Sequence, residues 1–356
     1  MHFSPNLVGV FFWIIPFMKP PNTLFKLMGR SLFKETRCFL CGVTLTDKNR
    51  SDEDVFPKWL QRKYDLWNHK ITLINGTTIP YRQLKIPCCQ SCNTNFLSGL
   101  EKTVKSFHDS GNSSFVKIDR IKLFQWIGKI FYGSLYKELS LSTDRKKRRK
   151  RSIVDSKLLQ NFRTLHFFLQ SIRIPFDFVN FHPWTIFIVN TCKYDDVRDF
   201  DYYDGIANLT FAIRMGEVGI IACLEDAGVQ ERMYYNLFEK FKNIKLHPIQ
   251  FLELLAMVSY RAFLQKSTPK YVSILPKNEK NGAVKVFHSL RVRFSEWNQR
   301  EFAKVLARHW HQWQIPFERI FTPPDMALSF VYNADGTIRE LDPNFEPVTF
   351  IVPSKN

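Results

Sequence analysis

Cys38-x-x-Cys41 and Cys89-x-x-Cys92 are the residues of this chain whose types and spacing most directly imply chemistry. A C-x-x-C pair on a tight turn aims two thiolates at one point. Two such pairs, here 47 residues apart, supply the four ligands of a tetrahedral ion. Zn²⁺ is the expected metal, and four thiolates leave it no open position for water or substrate, so its expected role is structural. Cys88 adjoins Cys89, but the spacing to Cys92 selects Cys89 as the ligand and leaves Cys88 to the core. Seven cysteines, four of them so paired, fit metal binding rather than a disulfide framework, and a reducing cytoplasm is the expected location.

Between the two pairs lies Ser51-Asp52-Glu53-Asp54-Val55-Phe56-Pro57-Lys58-Trp59-Leu60, and Asn93 follows the second pair directly. Taken alone, Glu53-Asp54 is an acidic turn favourable to the helix N-terminus that Pro57 announces. In their order along the chain, however, these segments resemble the cysteine-knuckle branch of the HNH endonuclease family over about residues 37–107. The resemblance implies a zinc-stabilised ββα-metal module that cleaves phosphodiester bonds with one divalent ion, Mg²⁺ or Mn²⁺. Carried over by position, Glu53 and Asn93 would hold that ion, and Asp54 stands where the family has its general-base histidine. A carboxylate with a reference pKa of about 3.9 is a weaker base than imidazole. Asp54 is alternatively a second carboxylate on the ion, since hard oxygen ligands suit Mg²⁺. His69 or His108 could supply a base from elsewhere. Glu101 lies roughly on the helix face of Asn93 and could approach the ion, whereas the residue that orients the base has no clear counterpart, Arg82 and Gln83 falling near its place. Two functions follow as expectations: a metal-dependent endonuclease, and a catalytically silent, zinc-stabilised nucleic-acid-binding module.

Charge points to the same partner class. The chain carries 51 Lys and Arg against 33 Asp and Glu, a formal net charge of +18, which suits polyanions. Residues 1–151 hold 27 basic and 11 acidic side chains, whereas residues 152–356 hold 24 and 22. The run Arg145-Lys146-Lys147-Arg148-Arg149-Lys150-Arg151 reads as a solvated loop suited to phosphate contact, with Lys58 a further candidate beside the acidic segment. DNA is expected before RNA. The apolar stretch Leu7–Phe17 is too short to span a bilayer, has no positive charge before it and contains Pro16, so no stable membrane insertion is expected. Met28 offers an alternative start for the chain.

The elements that must position these groups follow from periodicity. An N-terminal extension over 1–32 is expected to precede the zinc-knuckle module over 33–110. A connecting helix and basic loop over 111–151 lead to an α+β domain over 152–356. Asn75-Gly76 predicts a hairpin between Ile71–Ile74 and Thr77–Ile79, with a further strand over Tyr81–Ile86. Apolar residues from Ile118 to Leu135 recur at helical steps, which predicts one amphipathic helix. Helices are expected over Ile153–Ile172, Glu231–Phe241, Ile249–Leu264 and Glu296–Gln314. Strands are expected over Thr185–Asn190, Leu209–Arg214, Gly219–Leu224, Tyr271–Leu275, Ala327–Tyr332 and Thr337–Leu341. The acidic run Tyr194–Asp204 reads as a solvated loop, and the tryptophans of Arg308–Trp313 as core or a stacking surface.

Overall fold

The computed structural model describes residues 24–25, 35–140, 156–193, 199–276 and 282–347. The basic run at 145–151 and the apolar stretch at 7–17 lie outside the described residues. The first C-x-x-C pair sits on a turn closed by Gly42 N–H to Cys38 O and Cys38 N–H to Val43 O, both 2.9 Å. Gly42 adopts a φ of 73°, which favours glycine at that position. Strand β1 (Glu53–Asp54) follows, then helix α1 (Lys58–Lys63), which starts directly after Pro57. The hairpin β2 (Lys70–Thr72) and β3 (Thr78–Pro80) turns through Asn75-Gly76, with Gly76 at φ 74°. Of the strand expected over 81–86, only β4 (Lys85–Ile86) forms, antiparallel to β1. Tyr81–Gln83 instead make a 3-10 turn, anchored by Tyr81 N–H to His69 O and by Arg82 to Trp67 O.

The second pair opens a helical stretch. Cys89 caps α2 (Gln90–Cys92), its Sγ accepting from Cys92 N–H; a π-helical turn (Asn93–Leu97) and α3 (Ser98–Asp109) continue it. After α4 (Asn112–Phe115) comes α5 (Arg120–Ser140). One apolar stripe was the expectation for α5, yet every residue from Leu123 to Tyr136 is buried. The cysteine-containing segment packs on one side of it and α6 (Ser156–Leu169) on another. Gly133 permits the first contact, because a Cβ there would stand 2.6 Å from Val55 Cγ2.

Strand β5 (Phe176–Phe178) leads into β6 (Thr185–Thr191), β7 (Phe200–Gly205), β8 (Thr210–Met215) and β9 (Val218–Cys223). Helix α7 (Val229–Lys240), β10 (Lys245–Leu246) and α8 (Pro248–Leu264) follow. The main sheet has the order β10-β6-β9-β8-β7, antiparallel except for β10 against β6. Its two faces divide the interior by the period-2 alternation of a strand. Phe211, Ile213 and Met215 enter a core shared with the cysteine segment, α5 and α6. Phe187, Ala212, Ile221 and Cys223 enter a second core with α8 and α9 (Gln299–His309), where Trp310 is fully buried. A smaller sheet of order β11-β12-β5 is completed by β11 (Lys270–Ile274) and β12 (Val284–Ser289). Short α10 (Phe317–Ile320), β13 (Phe321–Thr322) and β14 (Met326–Ala327) end the described elements.

The mixed α and β composition agrees with the expected class. Three local expectations change. Residues 200–204 of the acidic run, with Gly205, form the edge strand β7, because Asp201 pairs with Arg214 of β8 and Asp204 accepts from Tyr202 OH; residues 194–198 lie outside the described set. The strands expected over 327–341 shrink to β14 and a single bridge, Tyr332 to Ile338. Glu253, inside α8, takes the Phe330 and Val331 N–H groups that a strand ladder would have used. Strands β1, β5, β10, β12 and β13 had no counterpart among the expected strands.

Candidate metal centre and the adjoining carboxylate site

The fold brings Cys38, Cys41, Cys89 and Cys92 together, all four sulfurs within 4.8 Å of one another, a set that can hold one metal ion. Cys41 and Cys89 Sγ are 3.7 Å apart. A zinc ion with four bonds of about 2.3 Å requires sulfur–sulfur edges of roughly 3.8 Å, so the cluster has the size of a tetrathiolate site. Hydrogen bonds from Cys41 and its neighbours hold Cys38 far on the thiolate side, whereas bonding to Cys38 pushes the Cys41 and Cys92 thiols up. Four adjacent sulfurs share negative charge poorly without a cation. Cys88 is buried beside them, 4.0 Å from Cys38 Sγ, and its thiol is directed to Cys89 O.

Helix α6 and the turn after it grip the first pair from behind. His166 Nε2–H donates to Phe39 O at 2.7 Å, and Gln170 Nε2 and Arg173 Nη1 donate to Leu40 O at 2.9 and 3.3 Å. The backbone carbonyls between Cys38 and Cys41 are thus satisfied from a helix more than a hundred residues away in sequence. Burial pushes His166 down to about 4, so the ring is neutral and its Nε2 carries the proton.

Beside this cluster stands a second polar site. Lys129, fully buried in α5, places Nζ 2.8 Å from Glu53 Oε1, 2.8 Å from Glu101 Oε1 and 2.9 Å from Asp54 O. Three acceptors meet the three protons of one ammonium, which is the condition for keeping a lysine ionised in a core. One cation faces two carboxylates, and burial, opposed by Lys129, lifts Glu53 to about 7. Asp54 turns its carboxylate the other way, 3.7 Å from Lys85 Nζ and 3.8 Å from Lys58 Nζ. Its Oδ1 is buried without a hydrogen bond, and burial raises its pKa against the pull of those lysines. Asn93 Nδ2 donates to Ser51 Oγ at 3.1 Å from the first residue of the π-helical turn.

Of the residues singled out in the sequence, the four cysteines converge and Glu53 lies in the core. Glu101 approaches Glu53 through Lys129. His69 is exposed, and His108 instead bonds Tyr64 OH at 2.9 Å and Lys63 Nζ at 3.1 Å. Lys129 was missed, though it left a signal: it is the one charged residue in the run Leu123–Tyr136. A cation held by Glu53 and Glu101 has to compete with that ammonium. No protein-family model matches the chain, and comparison with curated proteins and with solved structures likewise gives no match.

Proposed function

We propose that this chain is a zinc-stabilised nucleic-acid-binding protein that keeps the layout of an HNH-like module without its divalent ion. In this reading Cys38, Cys41, Cys89 and Cys92 hold Zn²⁺ as a structural ion. The carboxylate site is occupied from within, by Lys129. The single observation that carries the choice is the ammonium of Lys129 bonded to Glu53, Glu101 and the Asp54 carbonyl. A buried lysine so compensated is held as tightly as the carboxylates themselves, and removing any member leaves charge unpaired in the core. Polyanion binding is supported by the excess of 27 basic over 11 acidic residues in 1–151, including Lys58 and the run Arg145–Arg151.

Metal-dependent cleavage, DNA before RNA, is the second reading, and the Oδ1 of Asp54 favours it, buried with no hydrogen bond and with Lys85 Nζ no nearer than 3.7 Å, since such an oxygen can still take a cation or a water proton. There Glu53 and Asn93 would hold Mg²⁺ or Mn²⁺, and Lys129 would have to give way. Assay of the full chain on plasmid and on single-stranded DNA with Mg²⁺ and with Mn²⁺ separates the two. Salt-sensitive binding without cleavage is expected for wild type. Cleavage that disappears in Glu53→Ala and Asn93→Ala would establish the endonuclease. The restoring substitution Asp54→His is expected to create no activity while Lys129 is present.

A further inference from the structure

Residues 152–356 are nearly neutral as a whole, yet their charge is unevenly placed. Between Lys266 and Arg293 the chain has seven Lys and Arg against the single acid Glu279, whereas the rest of 152–356 has 17 basic and 21 acidic residues. This segment contains β11 and β12, paired antiparallel with Lys270 opposite Ser289, Val272 opposite Phe287 and Ile274 opposite Lys285. Those six side chains share one face, and all six are exposed. The opposite face is interior: Val284 and Val286 are buried, and Tyr271 packs on Phe168 and donates its OH to Glu225 O. The ribbon continues past the strands, where Lys266 N–H bonds Arg293 O and Gln265 bridges Phe294, so Lys266, Arg291 and Arg293 extend the basic margin.

Val272 is 64%, Ile274 56% and Phe287 37% exposed. An apolar, aromatic centre on an otherwise solvated sheet face, bordered by lysine and arginine, fits a polymer that offers both flat apolar groups and regularly spaced anions. A duplex hides its bases. A single strand exposes them, and they stack on aromatic side chains while the backbone meets the cations. We infer that the outer face of β11 and β12 is a second nucleic-acid contact, one that takes a single strand with bases over Phe287, Val272 and Ile274 and phosphates on Lys270, Lys285 and Arg293. This rests on the nucleic-acid reading above and adds a surface outside the cysteine-containing half.

The test uses the full chain, fluorescently labelled oligothymidylate, a duplex of equal length, and vesicles containing phosphatidylserine, read by anisotropy and by co-sedimentation. Phe287→Ala is expected to weaken oligothymidylate binding by about tenfold, the loss of one stacked base, while duplex binding changes by less than about twofold. Neutralising Lys270, Lys285 and Arg293 to Gln is expected to reduce the slope of log K against log salt by about 2 for the single strand. Matching thermal melts of wild type and variants exclude misfolding as the cause. If wild type binds oligothymidylate and both variants bind it equally well, the ribbon contact is wrong while the proposed function stands. Absence of any nucleic-acid binding by wild type overturns both. Loss of vesicle binding in the variants with oligothymidylate binding intact assigns the face to a lipid surface and overturns the inference.

Discussion

Two side chains carry the strongest consequences. Among the described residues, Lys129 is hydrogen-bonded by Glu53, Glu101 and a carbonyl, so Lys129→Met leaves two carboxylates without their cation. Breaking such a buried pair costs about 3–5 kcal/mol. The expected result in urea unfolding at neutral pH is a loss of that size, with the Lys129→Met/Glu53→Gln double variant recovering part of it; a Lys129→Met protein as stable as wild type would sink the assignment. His166 gives a pH-dependent counterpart. Its folded value of about 4 lies below the ordinary 6.5 because it is buried, despite the bond to Phe39 O that favours the protonated ring. The unfolded chain therefore takes up the proton first. The stability due to neutral His166 is complete above pH 6.5 and is lost as pH falls from there toward 4. Against a His166→Gln variant, wild type is expected to lose about 2 kcal/mol of relative stability between about pH 7.5 and about pH 5. Parallel stability curves for the two proteins would show that this ring does not titrate differently on folding.

At the scale of elements, α5 is the member on which the candidate sites depend. It delivers Lys129 to Glu53, and it approaches the knuckle segment closely enough to do so because residue 133 has no side chain. Gly133→Ala would put a methyl 2.6 Å from Val55 Cγ2, so either α5 or the β1 region must shift. Overpacking of this kind costs about 1–3 kcal/mol. Calorimetry is expected to show that loss for Gly133→Ala and a smaller one for Gly133→Ala/Val55→Ala, where the methyl has room. A double variant no better than the sum of its single variants would mean that the contact does not limit the approach. The π-helical turn after Cys92 belongs to this scale as well: it is where Asn93 bonds Ser51, and it separates the cysteine-bearing end of the helix from the turns that carry Glu101.

For the whole molecule, one hydrophobic core includes Cys38, Val55, Phe131, Phe168, Phe211, Ile213 and Ile220, so the knuckles and the main sheet share an interior. Removing the metal with a chelator is expected to lower the melting temperature of the entire chain in a single transition, with tryptophan fluorescence and far-UV circular dichroism shifting together. Two separated transitions would show the cysteine segment to be an independent unit. No helix among the described residues is long and apolar enough to cross a membrane. The sequence by itself determined the cysteine cluster, because two C-x-x-C turns carry their ligand geometry locally. It also determined the Asn75-Gly76 hairpin and the long helix over Pro248–Leu264, since turn chemistry and apolar period are likewise local. Tertiary structure alone decided that α5 is buried on every side from Leu123 to Tyr136, that residues 200–205 become an edge strand, and that Val284–Ser289 pairs with both Lys270–Ile274 and Phe176–Phe178. It alone decided that the cation beside Glu53 is Lys129, 76 positions along the chain. The reason is common to all of these: a short window encodes the period and the turn, but which face meets which, and which buried charge finds which partner, depends on residues that become neighbours only when the chain closes on itself.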